Sequence, residues 1–140
     1  MSEHTIYLGG GCFWGLQGYI KKISGILTTE VGYANGPTEN PSYEDVCHNS
    51  GHVEALKVTY DVDTLSLDHL IQYFLRAIDP FSVNKQGGDV GIQYRTGIYY
   101  TDPTDKDVIE STLARAQAFE GKPFAIEVLP LENYYSAEEY

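Results

Sequence analysis

The chain has 140 residues, the length of one domain around one core, and its 42% hydrophobic and 21% charged residues are ordinary globular proportions. Apolar stretches fall far short of the roughly 20 residues that span a bilayer, which excludes transmembrane and disordered readings. Nine Lys and Arg against twenty Asp and Glu leave a formal charge of −11, which repels phosphate backbones and anionic membranes and argues against nucleic acid or membrane as a partner.

Residues 1–5 lead straight into an apolar strand pattern, without the basic region and long apolar run of a signal peptide, which predicts a cytoplasmic protein. Two cysteines are too few for a disulfide framework, and in a reducing compartment they are reactive or buried. Twelve tyrosines offer apolar bodies with hydroxyl donors, suited to lining a pocket.

In chain order, residues 5–8 read as a strand, Gly9 to Gly11 as a turn, and residues 12–22 as a helix with Phe13, Leu16 and Ile20 on one face. Strands are expected at 26–33 and at 55–60, where Leu56, Val58 and Tyr60 alternate with Lys57 and Thr59. The clearest helix has Ser66 as cap and Leu67, Leu70, Ile71, Phe74, Leu75 and Ile78 at helical spacing before Asp79-Pro80 stops it. A strand at 96–100 precedes a helix that opens at Asp102-Pro103, turns Ile109, Leu113, Ala116 and Phe119 inward and ends at Gly121; residues 124–129 form a fifth strand. Residues 35–52 and 79–93, rich in Gly, Pro, Asn and Asp, read as long loops of the kind that carry function. The order β-α-β-β-α-β-α-β predicts a single catalytic domain over 1–140: a two-layer α/β (α+β) sandwich with a mixed sheet and a ferredoxin-like, split β-α-β core.

The chemistry concentrates at Gly9-Gly10-Gly11-Cys12-Phe13-Trp14-Gly15. The free amides of a glycine-rich strand-to-helix turn bind anions, but the dinucleotide spacing fails, with Trp14 or Cys12 where glycine is required. The same amides and the helix dipole would stabilise a Cys12 thiolate and make it a nucleophile near neutral pH. A lone cysteine is more often a small buried apolar residue; the turn and the adjacent Trp14 favour the reactive reading.

Gly11-Cys12-Phe13-Trp14-Gly15 resembles the active-site signature of the peptide methionine sulfoxide reductase A family. Further similarities follow in family order at Gly32-Tyr33, Pro41-Ser42-Tyr43-Glu44-Asp45-Val46-Cys47, Gly51-His52-Val53-Glu54, Asp79-Pro80, Gly88-Asp89, Gln93-Tyr94-Arg95-Thr96 and from Tyr135 to Tyr140. The resemblance implies reduction of methionine S-sulfoxide, free or in proteins, through a cysteine sulfenic acid, repairing oxidised proteins without a cofactor or metal. It implies Cys12 as nucleophile and Glu54 as the acid, with Tyr43 and Tyr94 as further donors to the sulfoxide oxygen. Phe13 and Trp14 are the apolar clamp for the methyl group, and Asp89 orients the site. To donate, Glu54 must be protonated, and burial among aromatics is the physical means. Loops carrying Cys12, Tyr43, Glu54, Asp89 and Tyr94 are expected to converge at one sheet edge.

Each of these residues has a plainer reading: Glu54 as a solvated carboxylate before a strand, Asp89 as a turn residue, Tyr43 and Tyr94 as core aromatics. Cys47, His48 and His52 offer a zinc reading, weakened by Gly51 and by the lack of a Cys-x-x-Cys pair. A thiol peroxidase would also cycle Cys12 through sulfenic acid, whereas a Cys-His hydrolase lacks a recognisable histidine base. Two departures from the family stand out: Val90 replaces a histidine common after the aspartate, and the resemblance stops at Tyr140, where members usually continue into a tail with one or two resolving cysteines. Some relatives carry selenocysteine at the position of Cys12. The cysteine matching Cys47 looks structural, so regeneration of Cys12 is expected from an external thiol such as thioredoxin, glutaredoxin, glutathione or a small dithiol.

Overall fold

A computed structural model of the protein describes residues 2–11, 13–35, 52–82 and 94–137, with 85–86 and 89–90 as backbone. The first strand, β1 (Glu3–Gly9), turns Ile6 and Leu8 to one side and Tyr7 to the other, the two-residue period of extended chain. It is followed by α1 (Phe13–Ile20), β2 (Ile26–Ala34), β3 (Val53–Asp61) and α2 (Leu67–Ala77). A short hairpin, β4 (Lys85–Gln86) and β5 (Asp89–Val90), precedes β6 (Gly97–Tyr100), α3 (Pro103–Glu120), β7 (Glu127–Pro130) and β8 (Tyr134–Ser136).

The main sheet runs β7-β6-β1-β3-β2-β8. Its central neighbours β6, β1, β3 and β2 are antiparallel and are linked through α1 and α2. This is the split β-α-β core read from the sequence. After α3, β7 joins β6 in parallel, while β8 joins β2 antiparallel at the opposite edge, so the sheet is mixed. Ile6, Leu8, Val31, Tyr33, Leu56, Val58, Tyr60, Ile98 and Tyr100 form one core with residues of the three helices. On the other face, Tyr7, Ala34, Val53, Ala55 and Tyr99 make a smaller cluster covered by Leu131 and Tyr134. One face thus carries the helices, and the second is closed by tyrosines.

The helix signals act as expected. Ser66 Oγ accepts the His69 amide at 3.1 Å and opens α2, which buries Leu67, Leu70, Ile71 and Phe74. Asp102 Oδ1 accepts the Thr104 amide at 2.9 Å ahead of Pro103, and the Gly121 amide returns to the Gln117 carbonyl at 2.8 Å to end α3. Asp68 ties α2 to α3, accepting from the Thr112 hydroxyl at 2.5 Å and from the Arg115 guanidinium.

Four details depart from the sequence reading. Phe119, expected to face inward, is 90% exposed, because the last turns of α3 run past the elements it packs on; Ile109 and Leu113 are buried as expected. The region 79–93 holds the β4–β5 hairpin rather than only loop, and β8 supplies an edge strand that no periodicity announced. β3 begins at Val53, which pairs with Ala34, so Glu54 lies inside the strand and not before it. Among the described residues, no helix is long and apolar enough to cross a membrane.

Candidate functional site

β1 ends at Gly9, which faces Ala55 of β3 on one side and Gly97 of β6 on the other. Gly11 then adopts φ +75°, a left-handed conformation open to glycine at little cost, and its amide donates to the Tyr94 carbonyl at 3.2 Å. Two residues later the chain is helical: α1 opens at Phe13, whose amide donates to Glu54 Oε1 at 3.3 Å. An amide of the first helical turn has no partner within its own helix, and here the partner is a side-chain carboxyl from the neighbouring strand. Cys12 stands in sequence between these two anchored residues and lies itself outside the described residues.

Glu54 is 2% exposed. It sits one strand period from Leu56, Val58 and Tyr60 and so belongs to the helix-covered face. Across the sheet its partner is Tyr33 of β2, and the partner of Tyr33 is Tyr135 of β8. Register partners share a face, so Glu54, Tyr33 and Tyr135 form one row. The Tyr33 ring lies 5.6 Å from Phe13, and Phe13 lies 5.3 Å edge-on from Trp14. Phe13 is buried, whereas Trp14 is 49% exposed. An acid is therefore held at the start of α1 among aromatic rings that lead from the core to the surface.

Of the sequence-predicted residues, Phe13, Trp14, Glu54 and the Tyr94 backbone meet at this end of the sheet. Asp89 pairs with Gln86 in the β4–β5 hairpin, and its side chain lies outside the description. Tyr43 lies outside the described residues, as do Cys47 and His48 of the zinc reading. His52, the third member of that set, is fully buried with its ring 6.3 Å edge-on from Tyr135. Three neighbours of the site were absent from the sequence-based set: Tyr33, Tyr135 and His52 in its packed role. Tyr33 and Tyr135 both lie in family-like segments of the sequence, but only the pairing of β2 with β3 and β8 puts them in one row with Glu54.

Among the described residues, one group of side chains has metal-ligand atoms within 4.8 Å of one another: His4, Asp102 and Asp105. Its atoms are already engaged. His4 Nε2 bonds Asp105 Oδ2 at 2.7 Å, and Asp102 caps α3.

The family model of peptide methionine sulfoxide reductase matches residues 4–140. A relative from Lachnoclostridium phytofermentans, "Peptide methionine sulfoxide reductase MsrA", is 53% identical over 137 residues, covering 97% of this chain and 82% of that one. The crystal structure of Mxr1 from Saccharomyces cerevisiae in reduced form matches at a TM-score of 0.92 and 34% identity, over 99% of this chain and 81% of that chain. Mxr1 in complex with Trx2 matches at 0.74 and 26% identity, over 98% and 82%. Sequence and backbone agree along nearly the whole chain, with an acid-bearing strand beside the glycine turn and the start of α1: the chain belongs to the peptide methionine sulfoxide reductase family and is an oxidoreductase.

Proposed function

We propose that the protein reduces methionine S-sulfoxide, free or peptide-bound, with Cys12 as nucleophile and Glu54 as proton donor. The sulfur of a sulfoxide is pyramidal and its oxygen strongly polarised. The Cys12 thiolate attacks that sulfur while Glu54 protonates the oxygen. The attack forms a transient S–S bond. The protonated oxygen then passes from the substrate sulfur to Cys12 Sγ as the substrate S–O bond and the S–S bond break, so that methionine leaves and Cys12 carries the oxygen as a sulfenic acid. The sulfur of methionine is reduced by two electrons and that of Cys12 is oxidised by two.

The observation that carries this reading is the buried Glu54 carboxyl bonded to the Phe13 amide, one residue from Cys12. Withdrawal from water disfavours the ionised carboxyl, against the opposite pull of the Phe13 amide, and a neutral acid is what a developing oxyanion needs. Phe13 and Trp14 hold the methyl group, Tyr43 and Tyr94 add donors to the oxygen, and Asp89 orients the site. A second thiol then attacks the sulfenic acid and releases water, and another thiol reduces the mixed disulfide. Thioredoxin is the proposed reductant, supported by the Mxr1 complex with Trx2, with glutaredoxin and small dithiols as substitutes. Cys47 is proposed to be structural, so Cys47→Ser is expected to retain most dithiol-supported turnover.

A site with separate places for methyl, oxygen and side chain accepts one epimer, since the other points its oxygen away from Glu54. Epimer-resolved chromatography of a racemic methionine sulfoxide digest tests this. Consumption of the S epimer with the R epimer untouched is expected, and equal consumption of both would overturn the reading.

A further inference from the structure

Gly97, where β6 begins, has no space for a side chain: a Cβ would collide with the Tyr99 ring and hydroxyl. Tyr99 is fully buried on the face away from the helices. Its phenol is held neutral first by burial and then by the Glu127 carboxylate, with Arg95 acting in the opposite sense. Glu127 is the register partner of Gly97 in the parallel β6–β7 pair, while its neighbours Ile126 and Val128 pack on the helix-side core. Arg95 Nε donates to Glu127 Oε1 at 2.5 Å, and the Glu127 amide donates to the carbonyl of Thr96 at 3.0 Å. Residues 95 and 96 are thus fastened to β7 by one side-chain bond and one backbone bond. On the opposite flank, Tyr94 receives the Gly11 amide, and a Cβ on Gly9 would lie 3.4 Å from the Arg95 carbonyl. A three-residue segment is pinched between the glycine turn that precedes Cys12 and the edge strand β7.

We propose that Arg95 and Glu127 form a latch that positions Tyr94 against Gly11, making both of them positioning residues for the nucleophile's turn. Neither reaches across to the helix-covered face; they act through the backbone of residues 94–96. A planar guanidinium on a partly buried carboxylate fixes direction as well as distance, which suits a latch better than a flexible ammonium does. A small displacement of a reacting group is enough to cost one to two orders of magnitude in rate. The latch deepens the proposed reductase reading and rests on it for its catalytic consequence, but its structural consequence is separately measurable at the Gly11 amide.

The test compares wild type with Arg95→Gln, Glu127→Gln, the double variant and Arg95→Lys. Amide hydrogen exchange is followed at Gly11, Ile6 and Leu8, and methionine release in a single turnover of S-sulfoxide is followed beside KM. Each Gln variant is expected to speed exchange at Gly11 by about tenfold, with Ile6 and Leu8 unchanged, and to slow release by about tenfold, with KM within about twofold. The double variant is expected to be no slower than either single, because a latch opened once is open, and Arg95→Lys to recover part of the rate. Unchanged Gly11 exchange in both single variants would overturn the latch. So would exchange raised along all of β1, or losses that multiply in the double variant. A wild type inactive on S-sulfoxide would sink the reductase reading instead, leaving Gly11 exchange to decide the latch.

Discussion

Two buried acids sit at opposite ends of the β1–β3 ladder, and their surroundings differ in kind. At one end, His4 faces Tyr60, and Asp105 of α3 meets the His4 imidazole at 2.7 Å. The Tyr60 ring lies edge-on to His4, its phenol held neutral by burial and by the nearby Asp105. At the other end, Gly9 faces Ala55, and Glu54 meets the amide of Phe13 at the first turn of α1. Asp105 is matched to a group that can carry the opposite charge, an arrangement suited to holding α3 against β1. Glu54 is set beside the residue that follows Cys12 in sequence, at the end of a glycine turn, and among aromatic rings in tilted and edge-on contact. Burial alone does not mark an acid as chemical; its partners do.

The two ends of the ladder should differ most visibly at the nucleophile. Cys12→Ser should lower turnover by at least about a thousandfold, since a serine hydroxyl is un-ionised near neutral pH and its oxygen cannot be oxidised by the sulfoxide as a sulfur can, and chromatographic methionine release checks this. Next, Phe13→Ala and Trp14→Ala should act on binding and orientation, raising KM about tenfold or more for the exposed Trp14. Phe13→Ala should also destabilise the fold by roughly 3–5 kcal/mol because that ring is part of the core. Urea unfolding separates the two effects.

At the other end of the ladder the outcome should invert. Asp105→Asn should cost about 1–3 kcal/mol of stability by weakening the bond to His4 while leaving kcat/KM within about twofold. A large loss of kcat/KM in a folded Asp105→Asn protein would erase the distinction between the two acids.

Acidification should expose the structural carboxylates in the same way. The Thr112 hydroxyl, and then the Arg115 charge, hold the Asp68 carboxyl below its usual value. A depressed folded value means that its contribution is present above the unfolded pKa near 4 and is lost as pH falls through the folded one. Urea midpoints measured from pH 6 down to pH 2.5 should fall less steeply for Asp68→Asn than for wild type. Phe119→Ser should have the smallest effect of all, within about 0.5 kcal/mol, because the ring is exposed.

Much of this arrangement is legible in the sequence because local chemistry fixes it. Ser66, with Leu67, Leu70, Ile71 and Phe74, specifies α2 by a cap and a period, and Asp102-Pro103 opens α3 as Gly121 closes it. The glycine turn, Cys12 and the two following aromatics identify one end of the sheet without any knowledge of its partners. What escapes is what depends on distant pairing. The three residues of β8 have no period long enough to read, and they become a strand because the edge of β2 is open to them. With β8 comes the contact of Tyr135 with His52, two residues that the sequence offered inside family-like segments without a role, His52 also as a metal ligand. Phe119 misled because helical spacing specifies a direction around the axis, whereas burial also requires something to pack against.

The central claim is that Glu54 gives its proton to the sulfoxide oxygen, and single-turnover methionine release by Glu54→Gln tests it most directly. The experiment uses S-sulfoxide without reductant, with alkylation of Cys12 by iodoacetamide measured in parallel and sulfenic acid trapped on Cys12 by mass spectrometry. The account predicts release slowed by on the order of a hundredfold or more, with alkylation within about threefold of wild type. Release as fast as in wild type would contradict it.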